Sequence, residues 1–223
     1  MAKRRKVTVI GLTRFGREIA LRLAQAGAEV IALDNNPAEV QDISDQVAHA
    51  ATVDARNQKS LIELEVDKSD IAVIGIRDNL EMSVLILLAL KEIAVPHIIA
   101  LASGEDSAKV LERMGADKII FPERDIARRE AELILHPGMT GYMALADEYS
   151  MIEIGPPRGW AGHTILDLDV RRKFGVNVVA VRKAGNEAVK LSMPGPDYTI
   201  GPDDLLLILG PSKRIETLAR EVA

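Results

Sequence analysis

Cysteine is absent from this 223-residue chain, which excludes disulfides and thiolate metal sites and fits a reducing compartment, the cytoplasm. Aromatic residues make up only 3% of the sequence, too few for base-stacking platforms or sugar-binding shelves. Positive charge is not in excess either. The net charge of −5 argues against a broad nucleic-acid or anionic-lipid surface, and the basic run Lys3-Arg4-Arg5-Lys6 reads as a solvated cap ahead of the first strand. Long apolar runs are missing: the longest, residues 82–90, is far too short to span a bilayer, and no signal peptide is visible. A soluble chain is expected, with any membrane role exercised through a partner. The histidines His49, His97, His136 and His163 are scattered without metal-binding spacing, and there is no GxSxG, no GxxxxGK[ST] and no cysteine nucleophile. His163 alone sits in a site-like loop, and it reads as a surface or capping residue. Asp167 and Asp169 lie near a helix start, where the dipole accounts for them without a metal. A binding module is therefore favoured over an enzyme. The alternative is a small NAD(P)-dependent oxidoreductase, which would need a proton-transfer residue within reach of a nicotinamide.

What is present is concentrated in residues 7–36, VTVIGLTRFGREIALRLAQAGAEVIALDNN. An apolar run meets a glycine loop opened by Gly11 and closed by Gly16. A helix-period segment follows, stops at Gly27, and leads into a second apolar run that ends on Asp34. This is a β-α-β unit laid out for a nucleotide: a glycine loop at a helix N-terminus, and an acid about 20 residues on. Unpaired N–H groups and the positive dipole end suit a phosphate, while the Asp34 carboxylate can accept hydrogen bonds from ribose hydroxyls. Thr13 stands where the fingerprint has its middle glycine, and its β-carbon is expected to hold a pyrophosphate farther from the backbone.

Strand and helix continue to alternate as far as residue 121, predicting a doubly wound, Rossmann-like parallel sheet with helices on both faces. Asp34, Asp54 and the turn Arg77-Asp78-Asn79 each follow a strand directly, on the side of loop 11–16. A further helix over 123–135 ends at His136-Pro137-Gly138. After it the pattern changes: a strand over 151–154, one short helix over 165–174, a strand over 176–182, a hairpin turn at 184–186, a strand over 205–209 and a C-terminal helix. The expected domains are 1–135, the nucleotide-binding Rossmann domain with its crossover helix; a linker over 136–148; and a smaller α+β domain over 149–223.

Taken together, the blocks IGLTRFGREIA, DNNPAEV, VDARN, KVLERMGADKIIFPERDIA, ADEYSMIEI, TILDLDVRRKFGVNVVAVRK and GPDDLLLILG resemble the regulatory subunits of Trk/Ktr-type potassium-uptake systems, which join an RCK N-terminal to an RCK C-terminal domain. The resemblance covers nearly the whole chain. It implies an adenine nucleotide (ATP/ADP or NAD/NADH) cradled by Gly11, Thr13, Arg14, Phe15 and Gly16. Asp34 and Asn35 would hold the ribose, Asp54, Ala55 and Arg56 would flank the base, and Ile76, Arg77 and Asn79 would line the remaining wall. Glu123 stands where such subunits place an acid near the terminal phosphate across a dimer. Leu101 departs from the basic residue that many relatives carry at the end of the fifth strand. The resemblance further implies a second ligand, cyclic di-AMP, on Ile165, Leu166, Asp169, Arg171 and Asn177. Its partners would be a membrane-embedded potassium transporter or channel subunit and copies of this chain, a homodimer assembling into a higher, octameric ring.

Overall fold

A computed structural model describes residues 4–146, 148–183 and 191–222, and the chain divides into two compact units, Met1–Pro122 and Glu123–Ala223. The first unit runs β1 (Lys6–Ile10), α1 (Arg14–Gln25), β2 (Glu29–Asp34), α2 (Pro37–Ile43), β3 (His49–Thr52), α3 (Gln58–Glu63), β4 (Ile71–Ile74), α4 (Leu80–Glu92), β5 (Ile98–Leu101), α5 (Glu105–Arg113) and β6 (Lys118–Ile120). All the pairings in its six-stranded sheet are parallel, in the order β3-β2-β1-β4-β5-β6. That is the Rossmann order, with the direction of winding reversing between β1 and β4.

Helices on both faces explain why these strands are apolar along their length rather than alternating with polar residues. On β2, Val30 and Ala32 pack with Ala20, Val40 and Ile43 beneath α1 and α2. Ile31 and Leu33 point the other way, into a core with Leu61, Leu87, Leu90 and Leu111 from α3, α4 and α5. The buried Thr8 hydroxyl is satisfied by Ser69 at 2.8 Å.

The helices that begin near the carboxyl ends of β1 to β4 are capped by side chains of the intervening loops. Thr13 caps α1, Asn36 caps α2 with Pro37 in its first turn, Asn57 caps α3, and Asn79 caps α4. The capping fixes the direction in which each loop leaves its strand.

The second unit contains α6 (Pro122–Leu135, its first residue closing the first unit), β7 (Met139–Ala146), β8 (Tyr149–Ile154), α7 (Ile165–Leu168), α8 (Val170–Phe174), β9 (Asn177–Lys183), β10 (Asp204–Pro211) and α9 (Ser212–Ala219). Its four-stranded sheet has the order β7-β8-β10-β9 and is antiparallel throughout. Burial alternates along β10, the mark of a sheet with one covered face. Ile152, Ile154, Leu206 and Ile208 form that covered face with Ile215 and Leu218 of α9 and with Trp160. Trp160 lies 5.1 Å from Phe174, ring to ring.

Two expectations from the sequence are corrected. Residues 136–148 were expected to be a linker, but most of them form β7, an edge strand paired with β8. The single helix expected over 165–174 is two helices, because Asp169 adopts a left-handed conformation at φ 45° and breaks the run. The hairpin turn expected at 184–186 lies outside the described residues. Helix α6 has no buried residue: Leu133 packs against the second core, while Ile126, Ile134 and Leu135 are 55%, 77% and 69% exposed. Among the described residues no helix is long and apolar enough to cross a membrane.

Candidate functional site

The site begins where β1 ends. Gly11 takes up φ +89°, a left-handed conformation suited to glycine, and its N–H extends the ladder to the Leu33 carbonyl at 2.8 Å. A β-carbon on either Gly16 or Gly75 would run into the Gly11 carbonyl oxygen. Three backbones therefore meet at van der Waals distance: the loop, the first turn of α1 and the end of β4. Thr13 ties them together, its hydroxyl donating to the Gly75 carbonyl at 2.8 Å and accepting the Gly16 N–H at 3.4 Å.

Asp34, the last residue of β2, is held from two sides. One carboxylate oxygen accepts the Leu12 N–H at 2.6 Å and the other the Asn36 N–H at 2.8 Å. Each oxygen keeps further acceptor capacity, so the group is fixed in place yet still able to receive ribose hydroxyls. Asp54 is clamped by Arg56 through contacts of 2.6 to 3.1 Å. The Arg56 side chain, helped by its backbone N–H, lowers the Asp54 carboxyl to about 2. Arg77 is paired in the same way with Asp78, at 2.9 and 3.0 Å. That hydrogen bonding raises the guanidinium and lowers the carboxyl.

These loops enclose a cavity of about 360 Å³. Gly11, Thr13, Asp34, Asn35, Asp54, Ala55, Ile76 and Asn79, all named from the sequence, line it. Ile10, Leu12, Asn36, Glu39, Val53, Met82 and Ile86 also line it and were not named. The arrangement combines an apolar slot with carboxylates at its rim, which suits a flat heteroaromatic base joined to a sugar bearing hydroxyl donors.

The other nominated residues do not line this cavity. Gly16 is buried beneath the loop, Phe15 packs against the α1–α2 core, and Arg14 is exposed in the first turn of α1. Arg56 and Arg77 are turned to their acid partners. Glu123 stands in the first turn of α6, in the second unit. Leu101 is buried in the core beneath α1 and α2. Gly75 was missed, although a glycine directly after a buried strand is itself a signal of close backbone approach. The Leu12 contribution is a main-chain N–H, which no side-chain pattern reveals.

In the second unit, Ile165, Leu166, Asp169, Arg171 and Asn177 converge on a cavity of about 270 Å³, walled also by Val176, Val178 and residues 194–196. Among the described residues no group of histidines and carboxylates is placed to hold a metal ion.

Comparison with known proteins identifies the family and the fold. The TrkA-N domain family matches residues 7–122 and the TrkA-C domain family residues 149–223. The chain is 34% identical to Ktr system potassium uptake protein C of Bacillus subtilis (strain 168), over 98% of each chain. It is 33% identical to Ktr system potassium uptake protein A of the same organism, over 98% of this chain and 97% of that one. Among solved structures, the GsuK channel covers the whole chain with a TM-score of 0.68 at 15% identity, and this chain spans 40% of it. The same channel bound to NAD gives 0.62 at 16%. At these identities the channel structures speak for the fold, while the sequence matches speak for descent: the chain belongs to the family of TrkA-N/TrkA-C proteins that includes the Ktr system potassium uptake proteins.

Proposed function

We propose that this chain is the cytoplasmic regulatory subunit of a potassium-uptake system, binding an adenine nucleotide in its first unit and so gating a separate, membrane-embedded transporter. The observation that carries the reading is the convergence of Gly11, Thr13, Asp34, Asn35, Asp54, Ala55, Ile76 and Asn79 on one cavity at the carboxyl ends of β1 to β4. This is the position at which doubly wound sheets bind nucleotides. Asp34 accepts the ribose hydroxyls, and the slot between Val53, Ala55 and Met82 takes the base. Arg14 meets the phosphates from outside the wall, with Glu123 contributed across a dimer.

A regulatory role is preferred to an oxidoreductase. Among the described residues, those lining the cavity include no histidine, lysine or tyrosine to relay a proton, and its acids stand where a sugar needs acceptors. The exposed apolar side chains Ile126, Ile134 and Leu135 of helix α6 support a homodimer that assembles into a ring beneath the transporter. The convergence of Ile165, Leu166, Asp169, Arg171 and Asn177 on one cavity supports a second ligand there, cyclic di-AMP, between paired second units.

Calorimetric titration of the purified chain with ATP, ADP, NAD⁺, NADH and cyclic di-AMP tests both sites. An adenine nucleotide should bind with one site per chain, and co-expression should co-purify a potassium transporter. Failure of all five ligands to bind, or turnover of a nicotinamide with a substrate, would refute the reading.

A further inference from the structure

We infer that Thr13 is a specificity-determining residue that makes this site nearly blind to the length of the phosphate chain. The inference rests on the adenine-nucleotide reading of the first cavity. Thr13 lies where the winding of the sheet reverses, the point at which a phosphate chain leaving the adenosine half must cross. Its hydroxyl already spans that crossing, from the Gly16 N–H to the Gly75 carbonyl. The Gly16 N–H is one of the few free donors at the start of α1, and Thr13 takes it before any ligand arrives.

The charge of the wall points the same way. Its charged residues, Asp34, Glu39 and Asp54, are all acids. The neighbouring cations Arg56 and Arg77 are already paired with Asp54 and Asp78. At the end of β5 stands the buried aliphatic Leu101. An acceptor-rich, apolar pocket recognises the donors of adenosine and offers little to each added phosphate. Arg14, in the first turn of α1, is an exposed guanidinium whose attraction for a phosphate is screened by solvent and salt.

The test is titration of the full chain with adenosine, AMP, ADP and ATP at fixed ionic strength. For the parent chain, affinities for AMP, ADP and ATP should fall within about threefold of one another. Thr13→Gly frees the Gly16 N–H and opens the crossing, and should widen the ATP-to-AMP ratio to about tenfold or more. Thr13→Ser keeps the hydroxyl and should retain the parent's flat profile. Thermal melting of each variant separates lost selectivity from lost fold, and the parent profile decides the matter even if the glycine variant does not fold. A parent that prefers ATP over AMP by more than about tenfold overturns the inference and leaves the nucleotide reading standing. So does a well-folded Thr13→Gly variant with an unchanged ratio, or a serine variant that behaves like glycine. A parent that binds none of the four ligands overturns both.

Discussion

The parallel sheet of the first unit is buried on both faces, whereas the antiparallel sheet of the second is buried on one, and the difference decides where each can place polar chemistry. With both faces taken by helices, polar chemistry in the first unit is displaced to the ends of the strands. Asp34 and Asp54 stand there, half-exposed or exposed, next to a cavity. In the second unit the open face carries its own polar ladder. Glu153 on β8 accepts two hydrogen bonds from Arg182 on β9, at 2.6 and 2.7 Å, and one from Thr140 on β7 at 2.6 Å. At the start of β10, Asp204 is buried and surrounded by the Lys183 ammonium at 2.6 Å, the Tyr198 hydroxyl at 2.8 Å and the Gly201 N–H at 2.7 Å. Asp34 and Asp54 of the first unit border a cavity, whereas Glu153 and Asp204 of the second are consumed by structure.

The largest expected effect exposes what the one-sided unit leaves open. Replacing Ile126 and Ile134 of α6 together with aspartate should dissociate the proposed homodimer, because an unpaired charge in an apolar interface costs several kcal/mol. Light scattering at micromolar concentration reads the outcome, and a parent chain that is already a stable monomer there would end the proposal.

Next in size is Asp204→Ala, which leaves Tyr198 and the Gly201 N–H without their acceptor. It should cost about 2–4 kcal/mol, toward the lower end because Lys183 itself reaches solvent. The single tryptophan, Trp160, lies buried in this unit, so its fluorescence during denaturation follows the second core. An unchanged midpoint would remove Asp204 from the account.

Acid should weaken the same unit. Burial pushes the Asp204 carboxyl up, but Lys183, the Gly201 N–H and Tyr198 together hold it below its ordinary 3.8. The Arg182 hydrogen bonds hold Glu153 below 4.5 against desolvation. Acids lowered in the folded state stabilise it above their ordinary values, and the contribution is lost as the pH falls through the folded ones. The Trp160 midpoint should therefore hold from neutrality to about pH 5 and drop below about pH 4. A midpoint that rises on acidification would contradict that sign.

In the first unit, Asp34→Ala should weaken nucleotide binding by about 1.5–3 kcal/mol, through lost charge-assisted hydrogen bonds, as read by calorimetry. The smallest effect lies at a residue that lines neither cavity. Just beyond the C-cap of helix α4, Ala94 takes φ 60°, its N–H bonded to the Lys91 carbonyl and that of Val95 to the Leu90 carbonyl. Glycine suits that left-handed cap, and Ala94→Gly should add about 0.5–1 kcal/mol to the first unit, seen in its melting temperature.

The same contrast explains how much could be read from the sequence. The first unit was legible because parallel strands buried on both faces appear as unbroken apolar runs, each closed by a capping residue such as Asn36, Asn57 or Asn79. Its acids were legible because they directly follow those runs. Strand β7 was not. Its residues Met143 and Leu145 are 58% and 49% exposed, and Gly141 and Ala144 interrupt the apolar alternation, so the edge of a one-sided sheet reads as a connector. The break at Asp169 was hidden because apolar positions continue through it in helical spacing. At the site, side-chain identities led to Asp34 and Asp54. The hydrogen bond from Leu12 and the packing of Gly75 on Gly11 belong to the main chain and emerge only from the fold.

Asp34 is wedged between the Leu12 and Asn36 N–H groups. The carboxylate that would greet the ribose is thus also a rivet of the fold, joining the glycine loop to the turn after β2. A descendant that ceased to bind nucleotides would still lose folding stability by discarding this acid. Selection for structure alone would preserve it, so the acid of the fingerprint would persist even in a chain without a ligand.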